Sequence, residues 1–591
     1  MSLRQVIACI TFAATALCAG ASWAQPAAPA RPNIVVFLVD DAGFSDFSAY
    51  GGEARMPAID RLAQGGVRFS NFHTSPLCAP SRAMLLTGMD SHRTGVSTIP
   101  EVLPPEQRNR PGYSLRLEPG VETVAARLRA AGYRTYMTGK WHLGHGPGDL
   151  PDAHGFDRSF ALDASGADNW AQKSYLPYYA TADWFEDGAP ASLPDDFYSS
   201  QFLIDRMIDY LDADAAAQTP FFAYVAFQAV HIPVQAPRAF IELHRGLYDQ
   251  GWRALQARRF AQARALGLVS ETAQMPAFPA TARNWDALSP EQRLIETRSM
   301  EAHAGMLSAM DHHIGRLIAY LERTGAGANT LFIITSDNGP EPSAPMSVDG
   351  FAQWMAANGY RREAADMGER GSLAYIGREW ALATATPGAF YKFTASEGGL
   401  RVPLIIAGPQ VAAGGIAPGF SFVTDIAPTM LDYAGVALDE AARAAIDGRT
   451  LRPALGDPTA PIYPDDAPIG VEVSGNAALF RGRHKAVRNL PPLGDGRWRL
   501  YDIAADPGET RDLSAAEPAL LAALIADYDA YAARVGVLEM PAGYDIQRQV
   551  SRNALAAQAR RLAWIPALAA AILAALVGAW VVLRRRKAAK T

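Results

Sequence analysis

The chain reads as an α/β protein: a large mixed, mostly parallel sheet sandwiched by helices, then a smaller C-terminal antiparallel-sheet subdomain and a C-terminal transmembrane helix. Three observations predict this. The run Ile34–Val39 is continuously apolar, as a strand buried on both faces of a parallel sheet is. Similar runs at Tyr133–Thr138, Phe221–Phe227 and Leu331–Thr335 are separated by helical stretches such as Val121–Ala131 and Ser299–Thr324. Strand and helix in alternation build a parallel sheet. Finally, Leu562–Leu583 carries no charge over 22 residues; as a helix it rises about 33 Å, enough for a hydrocarbon core of about 30 Å.

At 591 residues the chain is long enough for one large α/β domain and a smaller one. Its 49% hydrophobic content excludes a mainly disordered chain. A net charge of −6 excludes nucleic acid as the main partner. The charge is uneven. With the lone Arg4 of residues 1–24 and the five cations of residues 562–591 set aside, 48 basic residues face 60 acidic ones. An acidic soluble body therefore lies between two membrane-directed ends.

The first end, residues 1–24, has one cation, an apolar run and Ser22-Trp23-Ala24, the pattern of a secretory signal peptide. At the other end, Trp564 and Trp580 sit near the limits of the apolar stretch 562–583, and Arg584-Arg585-Arg586-Lys587 follows at once. By the positive-inside rule the tail 584–591 is cytoplasmic and residues 25–561 lie outside. The alanine-rich composition resembles a bacterial protein, so a single-pass inner-membrane protein with its main domain in the periplasm is expected. Cys9 and Cys18 fall in the signal peptide, which leaves Cys78 as the one mature cysteine and allows no intramolecular disulfide. A lone thiol in an oxidising compartment must be buried, paired or chemically used.

The elements then follow in order. After the linker Ala27–Pro32, the first strand ends in Asp40-Asp41. The second is followed by Lys140 and His142, the third by His231, and the fourth by Asp337-Asn338-Gly339. In open α/β sheets ligands bind beyond the carboxyl ends of the strands. Asp-Asn-Gly alone is a turn, Asp40-Asp41 alone a helix cap, and Cys78 alone a buried thiol. Four strands ending in metal-ligand or acid/base residue types are another matter. The catalytic domain is assigned to residues 25–464. Short runs at Ile469–Val473, Ala477–Phe480, Lys485–Arg488 and Trp498–Ile503, with a helix over Ala515–Val535, assign a small antiparallel sheet to 465–545. Residues 546–561 read as a helical stalk into the span.

Around the mature cysteine stands Leu77-Cys78-Ala79-Pro80-Ser81-Arg82, then Leu86-Thr87-Gly88. This resembles the signature of the type I, formylglycine-dependent sulfatases of the alkaline-phosphatase superfamily. The resemblance extends over most of the ectodomain. Asp40-Asp41-Ala42-Gly43 matches the first metal motif of that family, and Gly139-Lys140-Trp141-His142 its second signature. His231-Ile232-Pro233 matches its substrate histidine, Ser336-Asp337-Asn338-Gly339 its second metal pair, and Lys392 before Glu397-Gly398-Gly399 its late lysine. Leu500-Tyr501-Asp502 through Asp506-Pro507-Gly508 resembles its C-terminal signature.

The resemblance implies an alkaline-phosphatase-like fold and hydrolysis of a sulfate ester. It implies that a formylglycine-generating maturation enzyme oxidises Cys78 to Cα-formylglycine, whose hydrate is the nucleophile. Asp40, Asp41, residue 78, Asp337 and Asn338 would hold Ca²⁺, with Mg²⁺ as the alternative; four oxygen donors suit such hard cations. Arg82, Lys140 and Lys392 would stabilise the charge that builds on the leaving oxygen. A helix starting at Pro80 would put residue 78 just before a helix N-terminus, which favours an anion. His231, with Lys392, would protonate the leaving group, and His142 would take the proton whose loss releases sulfate. The remaining histidines, His312-His313 among them as a surface pair, are expected to be structural. The 53 residues between Asn338 and Lys392 resemble those of bacterial arylsulfatases, which favours a small aryl or alkyl sulfate. Two rivals share the pattern: a phosphonate monoester or phosphodiester hydrolase of the same superfamily, and a membrane-tethered inactive binding homologue.

Overall fold

The computed structural model describes residues 31–217 and 219–589; the signal peptide expected over residues 1–24 lies outside them. Four strands form the centre of a ten-stranded sheet: β1 (Asn33–Val39), β2 (Arg134–Lys140), β3 (Phe221–Ala226) and β4 (Thr330–Ser336). They run side by side in the order β4-β1-β3-β2, all parallel, and Arg158–Leu162 extends the parallel run beyond β2. Antiparallel strands flank this centre: Leu404–Ala407 beside β4, and Trp184–Glu186 with Ala189–Ala191 at the far edge.

The uninterrupted apolar run of β1 has a direct physical reason. Val35, Phe37 and Val39 point into one buried core, and Ile34, Val36 and Leu38 into the other. Successive strand residues face opposite sides, so helices on both faces demand apolar residues at every position. The long helix α2 (Pro290–Arg323) covers one face. It starts nine residues earlier than the sequence suggests, because Ser289 and Gln292 form a capping box and Pro290 sits at the first helical position. Within it His312 is exposed but His313 is buried, so the expected surface pair is half wrong: Arg316 and the Tyr198 ring flank His313.

Register positions the site. Val39 pairs with Ser336, while Leu38 and Gly139 both pair with Ala226. The carboxyl ends of all four strands therefore fall level, and the residues that follow them share one rim. Asp40 and Asp337 come one residue after their strands, and Lys140 is the last residue of β2 rather than a loop residue.

The antiparallel sheet is built from Pro468–Val473, Asn476–Arg481, His484–Arg488 and Arg499–Asp502. One face packs on helix α3 (Pro518–Val535) through Ala477, Leu479, Ala486 and Leu500. Its other face, through Val471, Ala478, Phe480 and Val487, joins a core of the large sheet. Buried ion pairs cross the same seam: Lys485 bridges Glu397 and Glu509 at 2.8 Å each, and His92 meets Glu472 at 2.8 Å. The described residues from Pro32 onward accordingly fall into one unit.

The chain ends in α4 (Ile546–Leu562) and α5 (Trp564–Ala588). The apolar helix α5 is long and apolar enough to cross a membrane, and none of its apolar window is buried by the rest of the chain. The preceding α4 is packed on the body of the protein, with Gln549, Asn553 and Ala557 buried.

Candidate active site

Cys78 is the first residue of helix α1 (Cys78–Thr87), with Leu77 in extended conformation before it. The helix thus starts two residues before Pro80. Leu77 offers no side-chain cap, so the first amides of α1 are left to whatever binds beside residue 78. Every residue of α1 is buried, which fixes Cys78 on a rigid element.

The level strand ends bring the acidic residues to this thiol. The Cys78 Sγ lies 3.5 Å from Asp40 Oδ1 and 3.8 Å from Asp41 Oδ1. Asp337 reaches the same point from β4: its Oδ1 accepts the Asp41 N–H at 3.2 Å. Asn338 donates from Nδ2 to Asp41 Oδ1 at 2.7 Å. Asp40, Asp41, Cys78 and Asp337 each present a ligand atom within 4.8 Å of the others, all buried.

Three buried cations surround these carboxylates. Arg82 lies one helical turn after Cys78. Its Nε and Nη2 donate to Asp337 Oδ2 at 2.9 and 2.7 Å, and its Nη1 donates to the Lys140 carbonyl at 2.8 Å. Lys140 Nζ donates to Asp40 Oδ2 at 2.6 Å. Lys392 Nζ donates to Asp41 Oδ1 at 2.7 Å and pairs with Glu341 Oε2 at 3.0 Å. Burial raises the Asp40 carboxyl to about 7, Asp337 beside it adds to the rise, and Lys140 and Arg82 only partly counter it. Burial also pushes Asp41 up, but Lys392, His231 and Lys140 outweigh it and hold that carboxyl well below the usual range. Burial raises the Cys78 thiol, against the pull of Lys140 and Lys392.

The donor set fits a hard divalent cation. Asp41 Oδ2 and Asn338 Oδ1 are buried with no hydrogen-bond partner, at a point where four oxygen-bearing side chains converge. Buried acceptors are rarely left unmatched, and a cation satisfies acceptors without needing donors. Asp41 adopts the left-handed backbone region at φ 65° in making this arrangement.

Both predicted histidines reach the site. His231 Nε2 stands 3.6 Å from Asp41 Oδ2, and its Nδ1 lies 2.6 Å from the Ile232 carbonyl. That carbonyl accepts only from an Nδ1–H, so Nε2 is the atom free to face a ligand. His142, at φ 57°, is buried with neither ring nitrogen bonded. Burial lowers both histidines well below their ordinary value, with Lys140 adding to the effect at each.

A cavity of about 730 Å³ opens over Cys78, His142, His231 and Lys392. Much of its wall comes from the stretch between Asn338 and Lys392, including Glu341, Met346, Phe351 and Tyr375. Glu341 escaped the sequence reading. It follows Asp337-Asn338-Gly339-Pro340 as an ordinary turn acid, and only its contact with Lys392 and its place beside Asp41 and His231 set it apart. Tyr175 was equally illegible; its ring stands edge-on to His231 with centroids 5.0 Å apart.

Comparison with known proteins identifies the family. The Sulfatase family model matches residues 32–436. An uncharacterized sulfatase of Schizosaccharomyces pombe is 34% identical over 533 residues, 86% of this chain and 95% of its own length. The arylsulfatase of Klebsiella aerogenes is 35% identical over 434 residues, 70% of this chain and 89% of its own. Among solved structures, that of Ps i-CgsB with k-i-k-neocarrahexaose superposes with a TM-score of 0.61 at 23% identity, covering 85% of this chain and 92% of that one, a likeness of fold.

Proposed function

The chain belongs to the sulfatase family and is a sulfuric ester hydrolase, and from that premise we propose that it cleaves aryl or alkyl sulfate esters at a formylglycine derived from Cys78. The observation that carries this reading is the meeting of Cys78, three buried cations and a partly unsatisfied oxygen cluster at the strand ends, with Cys78 and Lys392 reaching the wall of one cavity.

Asp40, Asp41, Asp337 and Asn338 would hold Ca²⁺, or Mg²⁺ in its place. Once bound, the ion supplies a fixed positive charge that lowers the pKa of an oxygen at residue 78. The aldehyde hydrate at residue 78 supplies a nucleophilic hydroxyl, and a second hydroxyl whose deprotonation frees sulfate. The rest falls to ordinary side chains. Lys140 and Lys392 present fixed charge to the sulfate oxygens in a site shielded from water, where such charge counts most. Arg82 holds Asp337 and the Lys140 backbone in place through all three of its bonds. His231 turns Nε2 toward the leaving oxygen. An anionic ester beside it favours the imidazolium and so prepares it to donate a proton. His142, neutral and unbonded, is in the state a base requires.

Two measurements test this. The Cys78 peptide of active protein should be about 18 Da lighter than the thiol form, the difference between CH₂–SH and CH=O; full turnover by the unmodified thiol form refutes the mechanism. Steady-state kinetics on matched aryl sulfate, phosphodiester and phosphonate substrates should favour the sulfate, and a preference for the phosphonate moves the enzyme to the sister activity. We also place the catalytic unit in the periplasm, held to the inner membrane by α5. A reporter fused after Thr591 should be active only if it is a cytoplasmic one.

A further inference from the structure

Helix α4 is part of the active-site cavity. Ile546, Val550 and Ala554 line the same cavity as Cys78, His142 and His231. The helix is clamped there. Asn553 Nδ2 donates to the carbonyls of Pro100, Glu101 and Leu103 at 3.0–3.2 Å, and its Oδ1 accepts from Arg108 at 2.8 Å. Arg561 donates to the Pro177 and Tyr178 carbonyls. One residue beyond its end begins the exposed apolar helix α5. From Ala554 to Ala563 is nine residues, or about 14 Å of helix. The cavity wall therefore lies on a docked helix, α4, that leads through Ala563 into the exposed apolar helix α5.

The cavity lining is mixed in chemistry. Cys78, His142, His231 and Lys392 share it with the charged Arg283, Arg378 and Glu379 and with the apolar Ile99, Val102, Phe351, Leu493 and Val550; on the loop 342–348 Met346 and Val348 remain 39% and 48% exposed. An apolar ligand group in the cavity would cover these two side chains and remove their apolar surface from water. The volume of about 730 Å³ is far more than a sulfate group fills. Arg560 and Arg561, in the last turn of α4, put positive charge where α5 would enter a bilayer, which favours anions at that surface.

We propose that the preferred substrate is a membrane-borne single-chain amphiphile with a sulfate ester head. Its sulfate rests at residue 78 and the first part of its tail lies along Val550, Ala554 and the 342–351 loop toward the bilayer. This inference rests on the sulfatase reading above. Each methylene moved from water to an apolar wall multiplies affinity about fourfold, so three buried methylenes give of the order of fiftyfold.

The test uses the full chain reconstituted in phosphatidylcholine vesicles, with butyl sulfate in solution and tetradecyl sulfate at low mole fraction in the bilayer. The two esters share leaving-group chemistry. We expect kcat/KM for the tetradecyl ester to exceed that for the butyl ester at least tenfold, and Val550→Asp to lower that ratio at least tenfold. If Val550→Asp fails to fold, by its melting temperature, Ala554→Gln is expected to lower the ratio in the same direction. A parent ratio near one overturns the proposal. So does a high ratio that the folded variant leaves unchanged, since partitioning into the bilayer then explains it without the cavity wall. 4-Nitrophenyl sulfate on the same vesicles separates the two readings. Its turnover without chain-length preference refutes this inference alone, and failure of all three esters refutes the sulfatase reading with it.

Discussion

Arg82→Lys tests whether the site depends on the geometry of this cation or only on its charge. Arg82 is fully buried and spends three N–H groups on two partners: two on Asp337 Oδ2 at 2.9 and 2.7 Å, one on the Lys140 carbonyl at 2.8 Å. A lysine ammonium keeps the charge but has no planar fork and reaches one of these acceptors at a time. Two charge-assisted bonds at about 1.5–3 kcal/mol each are lost, so about 3 kcal/mol is the low estimate. Asp337 and Lys140 then lose their fixed positions. If that energy is felt in the transition state, kcat/KM falls about 10²-fold or more. Arg82→Met goes further, because it removes the buried guanidinium that pairs with Asp337 at 2.7 Å and stands 3.6 Å from Asp40. Breaking one side of such a buried pair costs about 3–5 kcal/mol of stability. The assay is kcat/KM on 4-nitrophenyl sulfate for folded protein, with the guanidinium chloride midpoint by tryptophan fluorescence as the stability measure. Arg82→Lys within threefold of the parent enzyme refutes the reasoning, because a point charge then suffices.

Further outcomes follow from other parts of the molecule. Chelation should abolish turnover, and Ca²⁺ or Mg²⁺ should restore it; full activity in protein shown by elemental analysis to be metal-free contradicts the assigned cluster. Burial alone would lower the pKa of His92, but Asp90 and Glu472 outweigh it and raise it to about 9. The folded value lies above the unfolded one, so this stabilisation is complete below about pH 6.5 and is lost as pH rises through about 9. It is of the order of 3 kcal/mol; denaturant midpoints across that window should fall in the parent and stay flatter in His92→Gln. Ending the chain after Leu562 removes only the exposed α5 and should give soluble protein with undiminished aryl sulfate turnover. Ending it after Asp545 removes the buried Gln549 and Asn553 together with the cavity wall, and should lose both solubility and activity, as sedimentation and turnover will show.

Much of this molecule is determined by local sequence. A run apolar at every position, Ile34–Val39, requires a strand covered on both faces, because side chains alternate across a sheet and neither face tolerates a polar group. The uncharged stretch before Arg584 determines a long apolar helix by length and composition, while its exposure is a finding of the tertiary structure. The residue types that gather around Cys78 were also legible, since Asp40, Lys140, His231 and Asp337 each stand at or after a strand end. Contact was not. Asp41 and Asn338 are 297 positions apart, and what joins them is the parallel register that sets Val39 against Ser336. Glu341 and His313 carry no periodic or motif signal, so only packing could give one a place at Lys392 and bury the other. The same holds for α4. Its helical pattern is local, but its seat against residues 100–103 is made by one asparagine amide donating to three loop carbonyls. Such a seat depends on where the loop lies in space, and that is decided by the tertiary fold alone.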